Sequence, residues 1–305
     1  MPGARGTETI AGTPDRPSIP DWVHLASPLG VSTAERTPWG FTHETWIVTS
    51  PGVLTTVVQR RRDRSDPSRP RAGAVRAAVR AVGLPVPEPA PAALGGRHPV
   101  VVLPYVCGRP AATLLDNEPD AELAGSICGQ LAATLSRINP AGLGIGRAWS
   151  SADRLRAAGG RWIRQCAKAL GEGSVQEIGR LLERGATELD GVVPVFAHGD
   201  LAPVNILVQD GRAAAVLDLD RARVAHPSFD AAWFLWVVTY HHPLVAAAAW
   251  RGYARGAGLP GPIPAACGWL QPLQLLELAA SAHDPAERLR WTARLEALLG
   301  TRAAG

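Results

Sequence analysis

The chain has 305 residues, of which 46% are hydrophobic and 19% are charged, enough apolar material for a sizeable core and about two domains. No apolar run reaches the roughly 18 residues needed to cross a bilayer, and the net charge of +4 comes without an extended basic tract. We therefore expect neither a membrane nor a nucleic-acid partner. The four cysteines show no CxxC or Cys/His spacing, which argues against a disulfide framework or a zinc site.

The N-terminal part is predicted to be a tail followed by a small, mainly β lobe. Residues 1–20 are polar, rich in Gly and Pro, and lack the apolar centre of a secretory signal, so we expect a disordered tail on a cytoplasmic protein. Two β-branched runs flank the turn dipeptide Pro51-Gly52, which predicts a hairpin. The predicted elements are strands at 45–49, 53–58 and 100–103 and a helix at about 71–82. Together they predict an N-terminal lobe over 21–106.

From Asp120 onward the pattern changes to apolar residues at every third or fourth position, which predicts amphipathic helices. These helices are expected at about 123–138, 154–170, 175–188, 243–256, 271–282 and 285–299. Between them lie short β runs at 195–197, 206–208 and 214–217. The predicted fold is therefore α+β and two-lobed, with a larger, mainly helical lobe over 107–305.

One polar constellation stands between these short β runs. Asp200 and Asn205 are five residues apart in a loop that begins with His198, and Asp218 ends the strand that follows the turn 209–211. Two short strands joined by a tight turn bring Asn205 and Asp218 to the same end of a hairpin. Phosphoryl transfer uses such a set, because one carboxylate orients the attacking hydroxyl while an amide and a second carboxylate hold Mg²⁺ against nucleotide phosphates.

These residues resemble the signature of the aminoglycoside phosphotransferase and choline kinase family, HGD-x4-N-hydrophobic followed by (I/L)D at a strand end. The likeness extends to 226–230, which is similar to a family stretch ending in a structural Asp, and to 83–87 and 103–110 upstream. The resemblance implies a protein-kinase-like fold and the transfer of phosphate from ATP or GTP, with Mg²⁺, to an alcohol group of a small molecule.

The resemblance also implies roles for particular residues. Asp200 is expected to be the catalytic base, Asn205 and Asp218 the metal ligands, and His198 a brace that holds the loop by hydrogen bonding. The backbone of Pro104, Tyr105 and Val106 is expected to meet the nucleobase. The loop containing Gly40, Thr42 and Thr45 is expected to cover the triphosphate with N–H groups and hydroxyls.

The chain departs from the family pattern at the phosphate-binding lysine. Lys168 is the only lysine, and it lies far from the strand end 57–60 where the family places one. One interpretation is that Arg60 or Arg62 anchors the phosphates through its guanidinium, or that Gln59 does so as a neutral donor. The other is that the lobe has degenerated and the protein is a non-catalytic nucleotide binder.

The resemblance implies that the acceptor site lies between Asp200 and the C-terminal helices. From Ala231 to the end there are four acids against six arginines, so the acidic wall required by a polycationic aminoglycoside is missing there. The same region is rich in aromatic residues, and we expect Trp236, Tyr240 and His241 to contact the acceptor, with Asp220 in a structural or substrate-edge role.

The predicted function is Mg²⁺-dependent phosphorylation of a hydroxylated antibiotic. The acceptor is an aminoglycoside by family resemblance, or a less cationic nucleoside or peptide antibiotic by the charge count. A metabolic kinase for an amino alcohol or a sugar is the alternative enzyme. The sequence leaves the choice between ATP and GTP, and the oligomeric state, open.

Overall fold

The computed structural model of the chain describes residues 18–27, 29–37, 43–52, 54–61, 69–90 and 100–303. They form a small antiparallel sheet near the N-terminus and a mostly helical remainder, which confirms the predicted α+β class. The predicted tail over 1–20 lies almost entirely outside the described residues.

The described residues divide into two units. The first contains the described residues up to 61, together with 89–90 and 100–105, and the second contains 69–88 and 106–303. The segment 69–88 differs from expectation, because the sequence assigned it to the N-terminal lobe. Its helix packs on the turn at 219–221, and its buried residues Val75 and Val79 join the core of the second unit.

The first unit is a four-stranded antiparallel sheet with one short helix. Its elements are helix α1 (Asp21–Leu25) and strands β1 (Thr33–Arg36), β2 (His43–Ser50), β3 (Leu54–Arg61) and β4 (Val100–Pro104), in the order β1-β2-β3-β4. Strands β2 and β3 form the predicted hairpin, and Gly52 in its turn has a φ of +87°, a conformation that glycine adopts without strain.

Side-chain alternation divides this sheet into two faces. Trp46, Val48 and Val58 are buried on the face that packs against Val23 of α1. Because successive residues of a strand point to opposite faces, Gln59 and its cross-strand partner Thr45 lie on the other face. The face under α1 is apolar at its centre, whereas the face away from α1 is mixed, with Thr45 and Gln59 next to Ile47 and Val57.

The second unit is built from eight helices and two small sheets within the described residues. Its helices are α2 (Arg69–Ala81), α3 (Glu118–Leu135), α4 (Ala152–Cys166), α5 (Glu172–Asp190), α6 (Phe229–His241), α7 (Ala246–Ala257), α8 (Cys267–Ser281) and α9 (Pro285–Ala303). Its strands are β5 (Arg109–Pro110), β6 (Val195–Ala197), β7 (Ile206–Gln209), β8 (Arg212–Val216) and β9 (Arg223–Ala225), paired as β5-β7-β8 and β6-β9. None of the helices in the described ranges is both long enough and apolar enough to span a membrane.

Helices α3 and α7 approach one another at backbone distance. A Cβ built on Gly125 would lie 1.9 Å from the carbonyl oxygen of Ala249, and one built on Gly252 would lie 1.9 Å from that of Glu122. The glycines thus admit the backbone of the opposite helix, and this close packing holds α3 against α7.

We expect Gly125→Ala to lower the free energy of unfolding by about 3 kcal/mol, because the added methyl group overlaps backbone that has no room to move. The control is Gly179→Ala in α5, where nothing lies within 4 Å of the added Cβ. That change should stabilise the chain by up to about 1 kcal/mol through helix propensity. Urea unfolding of both variants measures the difference, and equal effects would contradict backbone contact between α3 and α7.

Candidate active site

His198 follows β6 and holds the loop that leads to Asp200. Its Nδ1 accepts the N–H of Asp200 at 3.2 Å, so the ring proton is on Nε2, which donates to the carbonyl oxygen of Leu217 at 2.9 Å. The imidazole is fully buried. It therefore ties the loop that begins at residue 198 to the end of the β7–β8 hairpin, the geometry expected of a brace.

Asp230, in the first turn of α6, anchors the same loop from the other side. Its two carboxylate oxygens accept the N–H groups of His198 at 2.8 Å and of Gly199 at 3.0 Å. Burial raises the pKa of Asp230, and the adjacent His198 together with these two N–H groups opposes that rise. Asp230 thus satisfies two buried backbone donors that have no strand partner.

Position 199 requires a glycine for two reasons, its backbone conformation and its close neighbours. Its φ is +84°, in the left-handed region that favours glycine, and a Cβ there would lie 2.0 Å from the carbonyl oxygen of Arg221. The glycine in the HGD motif therefore lets the loop turn sharply against the segment that carries Asp218.

Asp200 lies in this loop and accepts a hydrogen bond from Trp233, a site residue that the sequence analysis did not predict. The indole N–H of Trp233 donates to Oδ1 of Asp200 at 2.7 Å, whereas no hydrogen bond or ion pair from the described residues reaches Oδ2. Trp233 lies three residues after Asp230, so one turn of α6 contributes both the loop anchor and the partner of Asp200. The spacing of three residues places Trp233 near Asp230 on the helix, but it does not by itself predict the bond to Asp200.

Asn205 and Asp218 lie at the same end of the β7–β8 hairpin, as the sequence predicted. The N–H of Leu217 donates to the carbonyl oxygen of Asn205 at 2.8 Å, and the side-chain amide of Asn205 donates to the carbonyl oxygen of Asp200 at 2.9 Å. Asp218 has a left-handed backbone, with φ 52° and ψ 60°. This conformation is uncommon outside glycine and marks a constrained position.

The carboxyl of Asp218 is accessible to solvent but closely surrounded by protein. These surroundings, and then the nearby carboxylates of Asp200 and Asp220, raise its pKa to about 7. Negative charge on Asp200 and Asp220 therefore disfavours ionisation of Asp218 unless a cation compensates it.

The donor set fits Mg²⁺ bound together with a nucleotide. Within the described residues no three or more His, Cys, Asp or Glu side chains form a metal-holding group. Mg²⁺ commonly takes one or two protein oxygen ligands and completes its shell with phosphate oxygens and water. The amide oxygen of Asn205 and the crowded carboxylate of Asp218 supply ligands of that kind.

The predicted triphosphate residues of the first unit fall into three groups. Gly40 and Thr42 lie outside the described residues. Gln59 donates through its side-chain amide to the hydroxyl of Thr45 at 3.3 Å, so these two side chains meet on the face of the sheet away from α1. Arg60 points to the opposite face, where it pairs with Glu44 at 3.0 Å and lies 4.6 Å from the ring centre of Trp22. Arg62, the alternative, also lies outside the described residues.

The predicted hinge lies at the passage from the first unit to the second. Pro104 ends β4 opposite Thr56, the N–H of Tyr105 donates to the carbonyl oxygen of Thr55 at 3.4 Å, and Val106 begins the second unit.

Three of the predicted acceptor residues cluster on α6. The ring centre of Trp236 lies 5.2 Å from that of Tyr240 and 6.5 Å from that of His241. Asp220 is placed elsewhere, in the turn at 219–221, where it lines a cavity of about 140 Å³ with residues that include Trp149 and Glu277. The structure therefore brings together the aromatic residues but not Asp220.

His226 precedes the Asp230 anchor and makes this segment sensitive to acid. Its buried ring accepts the N–H of Ser228 at 3.0 Å, and burial lowers its pKa from the ordinary value of 6.5. As the pH falls below that value, the unfolded chain takes up a proton that the folded chain resists, so stability is lost.

We expect the melting temperature of the wild-type chain to fall more steeply between about pH 7.5 and about pH 5.5 than that of His226→Asn. The asparagine retains an acceptor for the Ser228 N–H but does not titrate. Circular dichroism melts at several pH values measure both slopes, and parallel curves would contradict a buried neutral histidine.

Comparisons with known proteins identify the family and the fold of this chain. A model of the phosphotransferase enzyme family (APH) matches residues 33–270, whereas no curated protein sequence matches significantly. The apoenzyme of macrolide 2'-phosphotransferase MphH from Brachybacterium faecium is 20% identical, with a TM-score of 0.59 over 90% of this chain and 98% of that one.

Two aminoglycoside phosphotransferases show the same fold. A thermostable mutant of APH(4)-Ia is 14% identical, with a TM-score of 0.67 over 93% of this chain and 99% of that one. APH(2'')-IIa, solved with streptomycin and ATP, is 13% identical, with a TM-score of 0.61 over 94% and 97%. The family match confirms the resemblance drawn from the HGD motif. The chain is therefore a phosphotransferase that belongs to the phosphotransferase enzyme family and shares the fold of these antibiotic phosphotransferases.

Proposed function

We propose that the chain moves the γ-phosphate of ATP or GTP, with Mg²⁺, to a hydroxyl group of an antibiotic. The observation that carries the proposal is the arrangement around one loop. Among the described residues nothing bonds to Oδ2 of Asp200, the side chain of Asn205 bonds to the backbone of Asp200, and the charge of Asp200 acts on the carboxyl of Asp218. A base, an amide and a second carboxylate in this order are the parts that phosphoryl transfer needs.

In this reaction Asp200 orients the acceptor hydroxyl and receives its proton on Oδ2. The hydroxyl oxygen forms a bond to the γ-phosphorus, the bond between that phosphorus and the β–γ bridging oxygen breaks, and the electron pair leaves with the nucleoside diphosphate. Trp233 keeps Oδ1 occupied, so the carboxylate holds one orientation. His198 and Asp230 fix the backbone from which Asp200 extends.

Asn205 and Asp218 would hold the metal ion. When bound, Mg²⁺ neutralises charge on the β- and γ-phosphate oxygens. The nucleotide donor is supported by the fold, because an APH(4)-Ia mutant of the same fold was solved with ADP and hygromycin B. The antibiotic acceptor is supported by the same structure, which contains hygromycin B, and by the macrolide 2'-phosphotransferase that shares the fold.

For the triphosphate we assign the neutral donor Gln59 rather than Arg60. Gln59 lies with Thr45 on the face of the sheet away from α1, whereas Arg60 is held by Glu44 and Trp22 on the face that packs against α1. An arginine with those partners stabilises the end of its strand and has less freedom to meet phosphate.

We expect Gln59→Ala to raise the KM for the nucleotide about tenfold, the cost of one hydrogen bond to a charged group. Arg60→Ala, the neighbouring change on the same strand, should leave that KM within about twofold and lower the melting temperature instead. Steady-state kinetics at saturating acceptor separates the two. A larger KM change in the Arg60 variant would assign the phosphate contact to the arginine.

The test of the whole proposal is phosphate transfer by the purified full-length chain. ATP or GTP is supplied with Mg²⁺ or with EDTA, against aminoglycoside, macrolide, nucleoside and peptide antibiotics, and the product is detected by mass spectrometry. The proposal expects one phosphate added to at least one antibiotic, and only with Mg²⁺. Modification of a sugar or an amino alcohol in place of any antibiotic would favour a metabolic kinase. Nucleotide binding without any transfer would favour a non-catalytic binder.

A further inference from the structure

An aromatic ladder runs along α6 and α9 away from the catalytic base. We define it by Trp233, Trp236, Tyr240 and Trp291. The ring centres of Trp233 and Trp236 are 5.0 Å apart, and those of Trp236 and Tyr240 are 5.2 Å apart, both in stacked orientation. Trp291 of α9 packs against the side of this row of rings. Its ring centre lies 6.4 Å from that of Trp233 and 6.1 Å from that of Trp236.

One end of the ladder touches the catalytic base and the other end reaches solvent. Trp233 donates its indole N–H to Asp200, and together with Trp236 it is buried. Tyr240 is 48% exposed, and Trp291 is half-buried. Seven residues of helix separate Trp233 from Tyr240, a rise of about 10 Å. The accessible end therefore lies within the length of a small molecule from the base.

The accessible end carries a positive charge. The guanidinium carbon of Arg294 lies 4.9 Å from the ring centre of Tyr240 and 4.7 Å from that of Trp291. The neighbouring His241 packs edge-to-face on Tyr240, and its pKa is lowered by burial and then by Arg294 and His242, which favours the neutral ring. On the same helix, Glu287 accepts the indole N–H of Trp291 at 3.4 Å.

A polycationic acceptor is poorly matched to this surface. Such a molecule needs several carboxylates for charge pairing, and here it would meet Arg294 held in place by two aromatic rings. A ligand with a broad apolar or aromatic face would instead stack on Tyr240 and Trp291, and a neutral or anionic substituent would suit the guanidinium.

We propose that the ladder end formed by Tyr240, Trp291 and Arg294 binds the acceptor, and that this acceptor has a broad apolar or aromatic face and at most one positive charge. The inference rests on the proposed function, because the bound molecule must present its hydroxyl to Oδ2 of Asp200. The bond changes are those given above, and the hydroxyl proton goes to Asp200.

The test measures binding without nucleotide, so that it does not depend on catalysis. Isothermal titration calorimetry compares chloramphenicol, erythromycin and novobiocin with streptomycin, gentamicin and hygromycin B. We expect at least one of the first three to bind at least tenfold more tightly than every aminoglycoside. Tighter binding of an aminoglycoside, or binding by none of the first three, would overturn the inference.

Two variants assign the binding to the ladder. Tyr240→Ala should weaken the apolar ligand about tenfold, the value of one stacked aromatic contact. Arg294→Glu should strengthen aminoglycoside binding by at least about threefold, whereas Arg290→Glu, the same charge change at an exposed position of α9, should alter it less. If Arg294→Glu and Arg290→Glu changed aminoglycoside affinity equally, the effect would come from the overall charge of the protein, which would contradict a local contact at Arg294.

The two proposals fail in different ways. Apolar ligands that bind the ladder end while no antibiotic is phosphorylated would keep that end as a binding surface and contradict the antibiotic phosphorylation proposed above. Phosphorylation of aminoglycosides alone, with no apolar ligand bound, would keep that activity and remove the ladder as the acceptor site.

Discussion

Replacing Asp200 by asparagine is expected to lower kcat by about 10²- to 10⁴-fold, the range for loss of a positioned general base. The amide keeps an oxygen for the indole N–H of Trp233, so the loop retains that contact. Its nitrogen has no free electron pair to receive the hydroxyl proton. The loss should therefore appear in kcat, measured at saturating nucleotide and acceptor, while the KM for the nucleotide changes little.

The matched control for this variant is Asp210→Asn. Asp210 is an exposed carboxylate in the turn between β7 and β8, close to Asp200 in sequence and outside the catalytic loop. The Asp210→Asn variant loses the same charge as Asp200→Asn, and its kcat should stay within about twofold of the wild-type value. An Asp200 variant with wild-type kcat would contradict the role of Asp200 as the base.

Asp218→Asn is expected to have opposite effects on activity and on stability. Loss of a carboxylate ligand should lower kcat on the order of 10²- to 10³-fold, the cost of removing one charge-stabilising group. In the folded chain this carboxyl holds its proton up to about pH 7, whereas its ordinary pKa is 3.8. Above pH 7 the folded state therefore carries a charge that its surroundings disfavour, and a neutral amide removes that cost.

Because solvent reaches Asp218 and screens its charge, the free energy of unfolding should rise by only about 1 kcal/mol. This corresponds to a rise of about 2–4 °C in melting temperature at about pH 8 without Mg²⁺. Asp210→Asn is again the control, since Asp210 and Asp218 have φ values of 50° and 52°. Asparagine suits that conformation at both positions, but only at Asp218 does it relieve crowded carboxylates. Equal rises in the two variants would attribute the gain to backbone conformation alone.

Local sequence chemistry was enough to predict much of the fold. The β2–β3 hairpin follows from β-branched runs on both sides of Pro51-Gly52, and α3 follows from its periodic apolar stripe. Helix α6 is different, because every residue from Phe229 to Trp236 is buried. A helix without a polar face has no periodic pattern, so periodicity alone cannot define where it begins.

The candidate site was predictable where its residues are close in sequence. Asp200, Asn205 and Asp218 share one loop and one hairpin, so their spacing carries the geometry. The bond from Trp233 to Asp200 depends on how α6 packs against the loop, which no local pattern encodes. The face on which Arg60 lies could not be predicted from the sequence. Strand alternation shows only that Gln59 and Arg60 point in opposite directions, and the packing of α1 decides which of the two faces is covered.

The most direct test of the account follows the labelled γ-phosphate of ATP and GTP in the presence of the wild-type chain, Mg²⁺ and an acceptor identified by binding. The account predicts that the label appears on a hydroxyl of the acceptor in equal amount to the nucleoside diphosphate formed, and that Asp200→Asn reduces both together. Label that remains in intact nucleotide, or that is released only as inorganic phosphate, would contradict the assignment of this chain as a small-molecule phosphotransferase with Asp200 as its base.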